Sequence, residues 1–256
     1  MNALKLTLPS RWLDLTNSQL LFISRLYITE QSRIDFLVKS FLMLTGLKVY
    51  LPKSNVIEGQ FWYKHSSMAN PFILDSDLLS EVKEKCIFLL ETGEVKPLHR
   101  IRMARPRHYR LYNASFEQYL MAENYYFAYT ETRKEEHIDN LIACLYRKPW
   151  QKWDAEKIQR RSKYVKNVDF AVKNCVFLWY IGFRSYVPKR CKALFSSKGN
   201  SNGRPFNPRE YINGMIHQLS NGDVTIKDKL LSIPCWDALD ELEQRALEYQ
   251  LLNEKK

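Results

Sequence analysis

A chain of 256 residues with 45% hydrophobic and 13% aromatic residues can bury a sizeable core, in one large domain or two small ones, which excludes an intrinsically disordered protein. Eight glycines argue against a loop-rich or all-β fold, and no apolar run approaches the roughly 20 residues that cross a bilayer. The net charge of +11 comes from one stretch. Between Arg147 and Lys198 stand 14 Lys and Arg against Asp154, Glu156 and Asp169, and the rest of the chain balances, so that stretch is a candidate electrostatic surface.

The opening MNALKLTLPSRW lacks an apolar h-region, so no signal peptide is expected. Five widely spaced cysteines, an odd number, read as reduced thiols and imply a cytoplasmic protein. Leu4, Leu6 and Leu8 alternate with polar residues as an extended start. Thr16 then caps a helix predicted over 17–30, with Leu20, Ile23 and Tyr27 on one face. A second helix is predicted over 31–44, with Ile34, Leu37, Phe41 and Leu44 inward and Gly46 as its stop. Residues 47–51 and 60–65 read as strands of a small β-hairpin, and 71–75 adds an extended piece. Asp75 or Ser76 opens a helix to Glu91, with Leu78, Leu79, Val82, Cys86, Leu89 and Leu90 inward. Residues 94–110 are basic, contain proline and lack periodicity. They read as a linker, and the domain boundary is placed at 93–112.

From Ser115 the pattern is sharper. Ser115 and Gln118 fit a capping box. Phe116, Tyr119, Leu120, Glu123, Tyr126 and Phe127 recur at helical spacing. Residues 130–134 break the pattern, and Ile138, Leu141, Ile142 and Leu145 restart it. Two such stripes close on each other as an αα-hairpin. Residues 148–166 mix loop and charge. Residues 168–186 form the most apolar helix and the centre of a second core, and Pro188 ends it or opens another short helix reaching Phe195. Residues 196–208 are the clearest loop, and Asn207-Pro208 starts a helix that stops at Gly222. The last helix begins near Cys235, with a stripe through Leu239, Leu242, Ala246 and Tyr249. It is acidic, so it either docks against the chain's own cations or serves as a detachable arm for self-association.

The expected fold is therefore mainly α, multi-helix, in two subdomains. Residues 1–92 form an N-terminal helical part with a small β-hairpin, 93–112 a basic linker, and 113–256 a C-terminal helical part.

Chemistry is sparse. His65, His99, His108, His137 and His217 are scattered, and neither CxxC nor HExxH occurs, so no metal or other cofactor is expected. Gly199 to Gly203 lacks the GK[ST] ending of a phosphate-binding loop. Asp75 and Asp77 before Glu81-Val-Lys83 mimic nuclease carboxylates, but helical spacing sends Glu81 and Lys83 to different faces. His99-Arg-Ile-Arg102 has no strand–helix frame around it. The expectation is a non-enzymatic protein. One segment has functional content. Trp150, Lys152, Trp153, Arg160, Arg161, Lys163, Tyr164 and Lys166 interleave cations with aromatics. That composition suits nucleic acid, an acidic protein partner, or a solvated face whose rings cover the core.

The run Ala122-Glu123-Asn124-Tyr125-Tyr126 with LIACLYR (141–147), the opening LPSRWLDLTNSQL and the ending NGDVTIKDKLLSIPCWDALDELEQRALEYQ resemble proteins encoded beside the tape-measure gene of tailed phages and prophages. The resemblance implies a chaperone-like tail assembly factor in the bacterial host cytoplasm. It implies a tape-measure or tail-tube protein as partner and assigns no catalytic residue. The alternative function is a nucleic-acid-binding accessory protein using the 147–198 surface.

Overall fold

The structure is a computed structural model that describes residues 8–50, 62–68, 70–73, 84–196 and 207–254. It is mainly α-helical, with one three-stranded and one two-stranded antiparallel sheet among the described residues. The chain divides into two compact units, Met1–Gly93 and Glu94–Lys256.

In the first unit, α1 (Asn17–Thr29) starts with a complete capping box. Thr16 Oγ1 accepts from the Gln19 N–H while the Gln19 side chain accepts from the Thr16 N–H. Helix α2 (Arg33–Thr45) is capped by Ser32 and ends at Gly46, whose φ of 71° suits a residue without a Cβ. Leu37, Phe41 and Leu44 are buried as the spacing predicts, but Ile34 is 64% exposed and Phe36 packs inward instead. Ile34 lies in the first turn of α2, where a residue can sit beyond the edge of the partner helix. Strands β1 (Lys48–Tyr50), β2 (Trp62–Lys64) and β3 (Phe72–Ile73) pair in that order, so the expected hairpin gains a third strand. Trp12 donates its indole N–H to the Phe88 and Glu91 carbonyls. A Cβ on Gly93 would lie 2.6 Å from the Trp12 ring, so only glycine admits this packing. The helix expected over 75–91 falls largely outside the described residues. Its visible end is a 3-10 turn, Ile87–Leu90, with Cys86 and Leu89 buried.

The second unit begins with the stretch expected to be a linker, and here the structure corrects the sequence. Val95, Leu98, Ile101 and Leu111 are buried, and Arg110 grips Glu94 through two hydrogen bonds of 2.6 and 3.0 Å. Strand β4 (Arg105–Pro106) pairs with β5 (Tyr146–Arg147) in the register Arg105 to Arg147 and Pro106 to Tyr146. The segment thus forms one edge of the unit. Its buried residues Val95, Leu98 and Ile101 recur every third position, a spacing that is neither the 3.6 of an α-helix nor the alternation of a strand.

Helices α3 (Phe116–Thr132) and α4 (Glu135–Leu145) form the αα-hairpin. Ser115 caps α3, but the other half of the expected box is absent. The Gln118 amide instead donates to the Cys144 carbonyl at 2.6 Å, and the Cys144 thiol donates to the Gln118 carbonyl at 3.2 Å. Gln118, three residues past the cap, therefore ties the hairpin's two helices together. Arg133, with φ of 56°, makes the turn.

After the short α5 (Ile158–Ser162) comes α6 (Phe170–Arg190), the expected core helix. Cys175, Val176, Trp179, Tyr180 and Phe183 are buried along it. Pro188 does not end it; the proline sits in the last turn, and the Cys191 N–H still closes on the Val187 carbonyl at 2.8 Å. Helices α7 (Lys192–Phe195), α8 (Pro208–Ser220), α9 (Lys227–Ser232) and α10 (Cys235–Glu254) complete the unit. Asn207 caps α8 through the Arg209 and Glu210 N–H groups. The loop 197–206 lies outside the described residues, as do Gly199 to Gly203 and the carboxylates Asp75, Asp77 and Glu81. The start of α10 is pinned to the start of α3 by Cys235 N–H to the Ala114 carbonyl and Phe116 N–H to the Ile233 carbonyl.

Candidate functional site

The basic segment leaves β5 at Arg147 and turns at once, with the Gln151 N–H on the Lys148 carbonyl. A second turn follows at Asp154, which accepts from the Glu156 N–H and pairs with Lys157 at 2.5 Å. Helix α5 then packs on α4 through Ile158, and Val165 anchors the turn beyond it. With those two apolar residues facing in, Lys152, Arg160, Lys163, Tyr164 and Lys166 are turned outward. Lys152, Arg160, Lys163 and Lys166 form no ion pair among the described residues.

The eight predicted residues do not act alike. Trp150 and Tyr164 are 67% and 58% exposed, and Lys148 Nζ lies 5.8 Å from the centre of each ring. One ammonium thus sits within cation–π range of two open aromatic faces. Trp153 faces inward instead. It is half-buried, donates its indole N–H to Glu117 at 2.6 Å, and carries the Arg161 guanidinium 5.7 Å above its ring. Arg161 itself donates to the Asp154 carbonyl at 2.9 Å. Trp153 and Arg161 therefore brace the segment, and the other six lie on its outer side.

A cavity of about 370 Å³ opens between α4 and α5. Glu135, Glu136, Asp139 and Asn140 line one wall, and Gln159, Ser162, Lys163 and Lys166 the other. Beside it Lys173, 1% exposed, lies 2.7 Å from Asp139 and 3.2 Å from Glu135, and donates to the Lys166 carbonyl at 3.0 Å. A buried ammonium with two carboxylates is compensated charge, the condition for keeping it in a low-dielectric site. Periodicity places position 173 on the core face of α6 but does not show that a lysine there has partners on another helix.

Comparison with protein-family models, with curated proteins and with solved structures finds no match to this chain.

No group of three or more His, Cys, Asp or Glu side chains is arranged to hold a metal ion among the described residues, and all five cysteines are free and buried. Burial pushes the thiols of Cys86 and Cys191 up to about 11, so they are poor nucleophiles near neutral pH. No described helix is long and apolar enough to cross a membrane. One residue that the sequence did not single out belongs to the site: Lys148 joins the two open rings.

Proposed function

We propose that this chain is a non-enzymatic binding protein whose working surface is the outward face of residues 148–166. We propose further that it supports phage tail assembly by holding an acidic segment of a tape-measure or tail-tube protein. The observation that carries the reading is the set of unpaired outward cations Lys152, Arg160, Lys163 and Lys166. Such a field attracts and orients an anionic partner. The resemblance supports the choice of partner; of the stretches that carry it, 141–147 lies in α4 and β5, the elements that lead into the face. The test is to read the genes on either side of this one, then co-express the chain with the neighbouring tail proteins. Co-purification with the tape-measure or tube protein is expected, and reversal of Arg160, Lys163 and Lys166 to Glu should abolish it. A complex that survives the reversal, or none with either protein, would falsify the reading.

A second reading, a nucleic-acid-binding accessory protein, draws support from the open rings of Trp150 and Tyr164 around Lys148. Stacked bases above a cation are what a single strand offers and takes. Binding to single-stranded DNA would then fall steeply with salt, and Trp150→Ala would weaken it by roughly 1–3 kcal/mol.

A further inference from the structure

The β4–β5 pairing has a consequence for charge. In an antiparallel ribbon alternate residues share a face, and directly paired residues point the same way. Arg105 pairs with Arg147, and the Arg107 N–H continues the ladder onto the Leu145 carbonyl at 3.0 Å. Arg105, Arg107 and Arg147 therefore share one face, while Tyr146 on the other is buried and donates its hydroxyl to the Leu98 carbonyl. The charge of Arg161, on α5, acts on both Arg107 and Arg147.

These guanidinium groups are not compensated. Arg107 is only 8% exposed, and its Nε is buried with no acceptor among the described residues. Nη1 of Arg161 is likewise buried without an acceptor. Arg107, Arg147 and Arg161 form no ion pair with a described carboxylate. The Glu117 carboxylate accepts the Trp153 indole N–H through one oxygen. Burial first, and then the charges of Arg147 and Arg161, hold the Arg107 guanidinium down to about 10. Burial and Arg161 also lower that of Arg147. A buried cation with an unused donor is costly, and clustering like charges adds to the cost. Guanidinium forks present paired donors in the geometry that tetrahedral oxyanions accept.

We propose that Arg107, Arg147 and Arg161 hold a phosphate-class oxyanion on this face of the β4–β5 ribbon. Arg107 Nε and Arg161 Nη1 supply the inner donors, Arg147 completes the set, and exposed Arg105 lies at the rim. The site is separate from the outward face of residues 148–166 and does not rest on the function proposed for that face. The phosphate is either a free ion or a phosphodiester of a nucleic-acid strand, and both present the same oxygens.

The experiment uses the full chain. Inorganic phosphate and pyrophosphate are titrated by calorimetry, and melting is followed at constant ionic strength with chloride as the reference. Saturable heat and a rise in melting temperature specific to phosphate are expected. Arg107→Met and Arg161→Met should each weaken phosphate binding about tenfold or more, the scale of a lost charge-assisted hydrogen bond. In phosphate-free buffer Arg107→Met should melt at or above the parent, because it removes an uncompensated buried cation. Arg147→Met, on a half-exposed side chain, gives the same affinity test without touching the core. Absence of phosphate-specific binding, unchanged affinity in these variants, or a lower melting point for Arg107→Met without phosphate each overturns the proposal. The last outcome would make Arg107 a structural group. The Arg160, Lys163 and Lys166 reversal should keep saturable phosphate binding, which separates failure of this site from failure of the outer face. A short oligothymidylate that displaces phosphate assigns the source to a strand. One that does not assigns it to the free ion, and both support the site.

Discussion

Arg184 Nε lies 2.9 Å from one carboxylate oxygen of Glu123 and 3.2 Å from the other. Glu123 is almost fully buried in the middle of α3, and the hydroxyl of Tyr180 donates to its first oxygen at 2.9 Å. The guanidinium also lies 4.2 Å from the Tyr126 ring centre and 4.7 Å from that of Phe127. Glu123 and Tyr126 both belong to the run Ala122–Tyr126. In this fold that run welds α3 to α6. Burial pushes the Glu123 carboxyl above the usual carboxylate range, opposed by Arg184 and Tyr180. Each of the three groups is thus stable in place only with the others.

Replacing Glu123 by Ala strands the Tyr180 hydroxyl and the partly buried guanidinium of Arg184. Breaking a buried pair in this way costs about 3 kcal/mol, which lowers the melting temperature of a unit this size by roughly 10 °C. Glu123→Gln keeps an acceptor for Tyr180 and should lose less. The double variant Glu123→Leu with Arg184→Met should recover most of the loss, since two apolar groups leave nothing unpaired. Thermal melts of the three variants check this. Equal losses for Ala and Gln, or a double variant worse than either, would count against the network.

The C-terminal helix has two halves with different fates. Cys235, Ala238, Leu239 and Leu242 are buried, but Tyr249 is 68% exposed and Leu251 and Leu252 are open. The apolar stripe expected to run through Tyr249 is therefore buried only in its first half, and beyond it Gln250 donates to the Ala193 carbonyl at 3.3 Å and to Ser196 Oγ at 2.7 Å. Its acids meet internal cations and amides as well. Asp240 pairs with Arg190 at 2.6 Å, and Glu243 accepts from the Ala193 and Leu194 N–H groups, capping α7. Truncation after Pro234 should unfold or aggregate the second unit, whereas truncation after Ala246 should leave it folded. If the distal half serves self-association, the shorter truncation removes that association without lowering the melting temperature by more than a few degrees. Light scattering and melting of both truncations decide the matter. A folded monomer from the Pro234 truncation would refute docking.

Alkaline pH should unfold the protein well before its backbone is attacked. Burial raises the Tyr27 hydroxyl from its ordinary 10.0 to about 12 and the Tyr211 hydroxyl to about 12, and it raises those of Tyr119, Tyr146 and Tyr180 further. The unfolded chain releases these protons near pH 10 while the folded chain holds them. The stability is complete below pH 10 and is lost as pH rises through about 12. Arg107, lowered to about 10, and Arg147, also lowered, work in the opposite direction, but they are two groups against five. Urea midpoints from neutral pH to pH 12, with tyrosinate absorbance in parallel, should show the midpoint falling before the buried tyrosines ionise. A flat midpoint over that range contradicts it.

Local chemistry in the sequence determined the helices and several of their ends. Thr16, Ser115 and Asn207 cap because their side-chain oxygens reach N–H groups two or three residues away, and Gly46 stops α2 because the turn needs positive φ. Apolar spacing likewise placed Leu37, Phe41 and Leu44, and Cys175, Val176 and Trp179, on buried faces. It marked the cationic stretch as well, because charge is counted without knowing the fold. Which cations work together was decided only by the tertiary structure. Trp153 and Trp150 look alike in sequence, yet Glu117, 36 residues away, turns one inward. Arg107 and Arg147 meet because β4 and β5 pair across a whole helical hairpin, and such pairing leaves no mark in any window of sequence. The same holds for residues 94–112, where Val95, Leu98 and Ile101 recur every third position, the period of neither an α-helix nor a strand, and for Tyr249, which continues a helical stripe past the edge of the core. A stripe records what a helix can bury, and only the partner's extent decides where burial stops.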